Sequence, residues 1–353
     1  LKTGLSAVVD FQAEISGMTR LVSSKAESRI RRVKKDHLAV LLTGTISWSG
    51  LNKTNTIMTS GYPVHDMSEP ANTPRLTNPK HVVAAYLVLV FALSSIFWYI
   101  IAAKPQFAIS TGILRNSVFL LMWCPAVAAI VTRLAFQRNL EGFGFKIGEL
   151  RWWLLAIIIP IAVGLVMFGT AWVSGIAPFL PDKAAAMLAL PLLQGIVIAI
   201  GYNLVSATGE ELGWRGLLVP ELGRFTTFTW IAIISAFIWF CWHVPVMLAG
   251  GYSGPGGLGY SMVMFFLAMI GGSTLFAWIR LRSGSIWPAV LLHGFDNYFT
   301  QKFYPVLTAK TEAGGAMLGE FGWYVVLISI VLGLVFWYLR YMLPKMPKPE
   351  GGL

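Results

Sequence analysis

The sequence predicts an all-α fold, a multi-pass transmembrane helical bundle of about eight spans. Three observations carry that expectation. Of the 353 residues, 56% are hydrophobic and 12% charged, with mean hydropathy +0.66, whereas a soluble domain carries about 25% charged residues. Apolar runs of about 20 residues, enough to cross a hydrocarbon core of roughly 30 Å, recur along the chain. The formal net charge is +11, but the basic residues flank the apolar runs instead of forming one patch. Nucleic acid is therefore not an expected partner, and a lipid bilayer is.

Residues 1–80 are polar, with the basic run "KAESRIRRVKKDH" and the Pro-, Ser-, Thr- and Asn-rich "SGYPVHDMSEPANTPRLTNPKH". A stretch of that composition buries too little apolar surface to fold alone and reads as a disordered tail. The chain starts at Leu1, and Met58 and Met67 are candidate natural starts, which would put residues 1–57 upstream of translation. A single membrane-embedded domain is expected over 81–343, followed by the short polar tail 344–353.

The expected spans lie near 82–103, 117–136, 152–174, 189–208, 227–249, 259–279, 285–304 and 322–343. The fourth and seventh differ from the others. One runs into an acidic pair, and the other holds His293, Asp296 and Asn297. Pro125, Pro160, Pro191, Pro245 and Pro288 should break or end helices, which membranes tolerate where neighbours or water satisfy the freed backbone groups. Gly271 and Gly272 suit close helix approach. Cys124 and Cys241 fall inside spans, without CxxC or CxxH spacing, and are expected to pack.

With eight spans, the segments after the second, fourth, sixth and eighth share a side. Arg133, Arg138, Lys146, Arg151, Arg215, Arg224, Arg280, Arg282, Arg340, Lys345 and Lys348 fall there. Lys104, Arg115, Lys183, Lys302 and Lys310 fall on the other. The positive-inside rule then puts both termini in the cytoplasm and the acidic pair toward the cytoplasmic half, and the expected location is the cell (inner) membrane.

The acidic pair lies in "TGEELGWRG", residues 208–216, at the end of an apolar stretch. Each such charge near a helix centre costs about 2.5–3.5 kcal/mol on the insertion scale, so the cluster should face protein or a wet cavity. Glu211 and Arg215 are four apart, share a helical face and can form an ion pair. Glu210 points about 100° away, so one carboxylate can be held ionised while the other exchanges protons. The alternative is a helix cap just outside the lipid. "FIWFCWHVP" and "LLHGFDN" weigh against it, because they put His243 in one span and His293 and Asn297, four apart, in another. The other histidines, His37, His65 and His81, lie in the tail or at its edge.

Glu210-Glu211-Leu-Gly-Trp-Arg215, Trp239-Phe-Cys-Trp-His243 and His293-Gly-Phe-Asp-Asn297 resemble the EExxxR, FxxxH and HxxxN motifs of the CAAX-protease and bacteriocin-processing (CPBP, or Abi) family of intramembrane proteases. The resemblance covers roughly 85–305 and implies a CAAX-protease-like bundle. Trp239 stands where the family has Phe, which bears on packing there. The resemblance implies a peptide hydrolase in which Glu210 and His243 activate a water, His293 and Asn297 stabilise the oxyanion, and Glu211 and Arg215 support the site. No cofactor is favoured, since Asn297 suits an oxyanion donor better than a metal ligand, although a glutamate and two histidines are a set that zinc accepts. The implied partner is a peptide or protein substrate in or near the membrane. Peptide precursors or membrane-protein tails are more plausible substrates than prenylated ones.

Four other readings compete. HExxH, the zinc protease signature, is absent. Gly251-Tyr-Ser253-Gly254 is similar to the GxSG of rhomboid serine proteases, but it sits in the glycine-dense "AGGYSGPGGLGY", which reads as a loop. A transporter or proton pathway would also bury Glu, Arg and His, yet it predicts two related halves with paired broken helices, which the sequence lacks. A non-catalytic immunity or scaffold protein of the same fold would keep the motifs without turnover.

Overall fold

The computed structural model describes residues 78–187, 190–249 and 252–344. The expectations for the N-terminal tail up to residue 77, its basic run and its candidate starts, and for the C-terminal tail from 345, lie outside the described residues, as does Gly251.

Eight helices carry the fold: α1 (Pro79–Ala103), α2 (Ile113–Gln137), α3 (Leu150–Val173), α4 (Leu190–Glu211), α5 (Phe228–Leu248), α6 (Gly257–Ser283), α7 (Trp287–Tyr298) and α8 (Trp323–Tyr338). The only extended pairing among the described residues is an isolated bridge between Phe179 and Thr308. Local chemistry fixes the first boundaries. Asn78 accepts from the Lys80 N–H ahead of α1, and Pro79 supplies the helical φ at the first position. The helix stops at Lys104, which turns left-handed and returns its N–H to Ile100.

Among the described residues, six helices are long and apolar enough to cross a membrane: Pro79–Ala103, Asn116–Gln137, Leu150–Val173, Phe228–Leu248, Gly257–Ser283 and Trp323–Met342. They present apolar side chains outward, among them Val88, Tyr99, Leu165, Val173 and Leu334. A water-facing surface rarely carries so much contiguous apolar area, whereas lipid accepts it. The protein is thus an all-α multi-pass membrane bundle.

The remaining two expected spans are built differently. The seventh is α7, whose 12 residues continue into a π-helical turn over Phe299–Phe303. The fourth is α4, and it does not end at the acidic pair. After Glu211 the chain runs on through the π-helix Leu212–Leu218 and a short α-turn Val219–Gly223, nearly all of it buried. At about 1.5 Å per residue or slightly less, this carries the helix on the order of 15–18 Å past the carboxylates. Glu210, Glu211 and Arg215 therefore do not cap a helix end. The sequence suggested an end because polar residues interrupt the apolar run, but they are covered by other helices.

The prolines also behave in two ways. Pro125, Pro160 and Pro245 sit inside continuous helices, while Pro288 occupies the first turn of α7, where its missing N–H has no helical partner to lose. Gly271 lies where α6 meets α8, so that a Cβ would collide with the Ser329 backbone. Gly272 faces open space, and only the first of the pair serves close approach.

In the bundle α4 packs between α2 and α7, α6 packs between α5 and α8, and α7 also rests on α3. This order brings the ends of α4, α5 and α7 to one place. Cys124 is buried and Cys241 half-buried, both as free thiols within helices.

Candidate active site

Glu210 and Glu211 follow each other on α4, and the helical turn sends them to different partners. Glu211 is fully buried and Arg215 is 1% exposed. Arg215 Nη1 lies 2.9 Å from Glu211 Oε1, the i,i+4 pair that the spacing anticipates. The guanidinium is also held between two aromatic faces, with its carbon 4.2 Å from the ring centres of Trp239 on α5 and Phe276 on α6. His293 Nδ1 donates to the same Glu211 oxygen at 2.8 Å, because an ionised carboxylate can only accept. A tight helix contact permits this: a Cβ on Gly294 would meet the Leu204 backbone, so glycine lets α7 press onto α4.

Glu210 is 2% exposed, and its Oε2 accepts from two indoles, Trp239 at 2.9 Å and Trp214 at 3.3 Å. Its Oε1 makes no hydrogen bond among the described residues and is not among the fully shielded unpaired atoms. One oxygen is thus fixed by two neutral donors, and the other has no hydrogen-bond partner among the described residues.

His243 lies one turn after Trp239 on α5, and its Nδ1 donates to the Trp239 carbonyl at 2.9 Å. That fixes the proton on Nδ1 and leaves Nε2 as the basic nitrogen. The imidazole is walled by Trp242, Phe265 and Tyr252, with ring centres 4.9, 5.0 and 5.7 Å away.

Trp239 joins these parts. It donates to Glu210, stacks on Arg215, supplies the carbonyl for His243 and meets the His293 ring edge-on at 5.5 Å. The Trp-for-Phe departure in the second motif therefore does more than pack, since only an indole offers Glu210 an N–H. Glu210, Glu211, Arg215, His243 and His293 share one site, and they come from three helices. Asn297 stands one turn beyond His293, where its Oδ1 accepts from Gln301 Nε2 at 3.1 Å.

Sequence reasoning missed Trp214, Phe276, Tyr252, Gln301 and Glu320. Gln301 was within reach, four residues after Asn297 at helical spacing. Tyr252 falls inside the GxSG string, but that string is no serine site: Ser253 is exposed, and no hydrogen bond among the described residues links it to a histidine. Glu320 is distant in sequence and left no local signal.

Among the described residues, no three His, Cys, Asp or Glu side chains stand close enough to hold a metal ion. Both site histidines use Nδ1 for other partners, and Glu210 keeps one oxygen without a hydrogen bond among the described residues.

Residues 191–299 match the family model described as Type II CAAX prenyl endopeptidase Rce1-like. Comparison with curated proteins finds no match. The matched stretch contains all three motifs, from Glu210 on α4 to Asn297 on α7, and ends before Gln301 and Glu320. Residues 191–299 thus match an Rce1-like domain, consistent with the CAAX-protease family, set within a multi-pass helical bundle.

Proposed function

We propose that the protein is an intramembrane endopeptidase that hydrolyses peptide bonds of a membrane-associated peptide or protein. The observation that carries this reading is the asymmetry of the acidic pair: Glu211 gives one oxygen to Arg215 and His293 and its other oxygen is fully shielded, while Glu210 keeps an unshielded oxygen in the site that Trp239 shares with His243 and its basic Nε2. Water is a poor nucleophile until a base takes its proton. Glu210 Oε1 and His243 Nε2 act as that base and later return the proton to the leaving amine.

The tetrahedral oxyanion needs donors in a site that excludes bulk water. His293 serves through Nε2 as an imidazolium, its charge balanced by the Glu211 that its Nδ1 already faces. Asn297 serves through its amide NH2, since its oxygen is engaged by Gln301. Arg215 and Glu211 hold the frame and touch no substrate. We infer a metal-free site, because Asn297 suits an oxyanion donor better than a metal ligand. We also infer that the basic ends of the helices face the cytoplasm, as the positive-inside rule gives.

The test uses the full chain in proteoliposomes with quenched fluorescent peptides ending in a CAAX-type tetrapeptide, with and without a farnesylated cysteine. Glu210→Gln should lower turnover by about 10²-fold or more, in the range of lost general-base catalysis, with an unchanged helical spectrum. Equal turnover of the variant and the parent protein would sink the reading. Loss of activity on chelation, restored by zinc, would overturn the metal-free site. The peptide that is cleaved reports the substrate class.

A further inference from the structure

Beyond the matched domain, a carboxylate on the last inter-helix loop reaches into the site. Glu320, half-buried between the Glu312–Met317 turn of helix and α8, accepts from the Tyr252 hydroxyl through Oε2 at 2.9 Å and from Gln301 Nε2 through Oε1. Gln301 Nε2 also donates to Asn297 Oδ1. The orientation of both amides follows from this chain. An ionised carboxylate requires donors, so Gln301 turns its NH2 to Glu320, and Asn297 then turns its oxygen to Gln301 and its own NH2 away. On the other branch the Tyr252 ring stacks on His243, with planes 28° apart, and is packed edge-on by Phe321 and Phe265 at 4.9 and 5.5 Å.

We propose that Glu320 is a positioning residue for both halves of the site. Through Gln301 it sets the Asn297 amide with its NH2 free to donate, and through Tyr252 it fixes the wall against which His243 stands. The catalytic consequence rests on the hydrolytic reading above. The clasp itself does not.

Burial pushes the Glu320 carboxyl up to about 7, against the hydrogen bonds from Tyr252 and Gln301. The charged or titratable groups that face it are Tyr252 from the α5–α6 loop and Asp296 and His293 from α7. Asp296 raises the carboxyl further and His293 lowers it. The Tyr252 hydroxyl is itself pushed well above its ordinary value by burial and by Glu320, and stays a donor at neutral pH. When Glu320 gains a proton, one of its oxygens becomes a donor and the two-armed acceptor is lost. Orientation of Asn297 is therefore present above about pH 7 and lost as pH falls through it.

The experiment has an arm that needs no turnover. In the full chain in nanodiscs, with side-chain amide nitrogen labelled in asparagine, the Asn297 NH2 signal is followed from pH 5.5 to 8.5. The expected result is a titration with a midpoint near 7 that disappears in Glu320→Gln and in Gln301→Ala. A titration unchanged by Glu320→Gln would overturn the clasp.

The second arm measures kinetics on the fluorescent peptides. Glu320→Gln should lower kcat about tenfold, less than the ~10² of outright misplacement, with KM unchanged and the acid limb of the pH profile removed. Glu320→Asp should restore part of that limb. Unchanged kcat and pH profile in Glu320→Gln, alongside a dead Glu210→Gln, would overturn the positioning role and leave the hydrolytic reading standing. An active Glu210→Gln would remove the hydrolytic reading, while the amide titration would still decide the clasp.

Discussion

The two ends of the bundle are tied by different chemistry. At the basic end, Glu221 is 2% exposed and collects Arg224 at 2.7 Å, Arg133 at 3.5 Å and the Gln137 amide at 2.8 Å. Beside it Arg280 donates through Nε to the Arg215 carbonyl and through Nη2 to the Gly142 carbonyl, both at 2.8 Å. The π-helix after Glu211 shifts the backbone register, and Arg280 bonds a carbonyl within it. At the opposite end, one half-buried carboxylate is held by a phenol and an amide. Buried charges with fixed partners keep a structure in one state, because removing either partner leaves an uncompensated ion. A half-buried acid near its titration point can be switched by a proton. The basic end therefore fixes the frame, and the opposite end sets the site.

That contrast can be broken at several points. The largest effect should come from the buried ion pair that supports the site: Glu211→Gln leaves Arg215 buried between two rings without its counter-ion, which costs about 3–5 kcal/mol. Thermal unfolding in detergent should show a large loss of stability, and proteolysis should vanish with the fold. Arg280→Ala strips a donor from two backbone carbonyls, at about 1–3 kcal/mol for each group left unsatisfied. Its melting temperature should fall while kcat, measured below the transition, stays within a few-fold. A kcat loss as large as that of Glu210→Gln would erase the division between frame and site.

Trp239→Phe restores the aromatic of the family motif and removes one N–H from Glu210. The indole of Trp214 remains as a donor, so the expected loss is that of one hydrogen bond to a charged group, about 1.5–3 kcal/mol, which corresponds to roughly 10–100-fold in kcat/KM. Unchanged kinetics would mean that the indole N–H is incidental.

The smallest effect sharpens the contrast most. For Glu320, the folded-state value near 7 lies above the ordinary 4.5. Between those values the folded state binds more protons than the unfolded one, so this group makes stability fall as pH rises from about 4.5 to 7. Its contribution to activity runs the opposite way and rises through the same region. Parallel melting and kinetic profiles should diverge in the parent protein and flatten in Glu320→Gln. Profiles that move together would show that the group acts on the fold alone.

The sequence by itself determined the solvent and much of the chemistry. Long apolar runs admit no other class of fold, and carboxylates, an arginine and histidines inside them cannot face lipid, so their convergence was implied by cost alone. The i,i+4 spacing of Glu211 and Arg215 translated directly into a contact, because helical geometry is local. Tertiary structure decided what depends on neighbours from distant segments. It carried α4 through a π-helix past the acidic pair and turned Trp239 from a packing residue into the donor to Glu210. It also brought Glu320, more than a hundred residues after Glu210, to the amide and phenol that flank the site. Such links arise from side chains meeting across packed helices, and no periodicity along the chain encodes them.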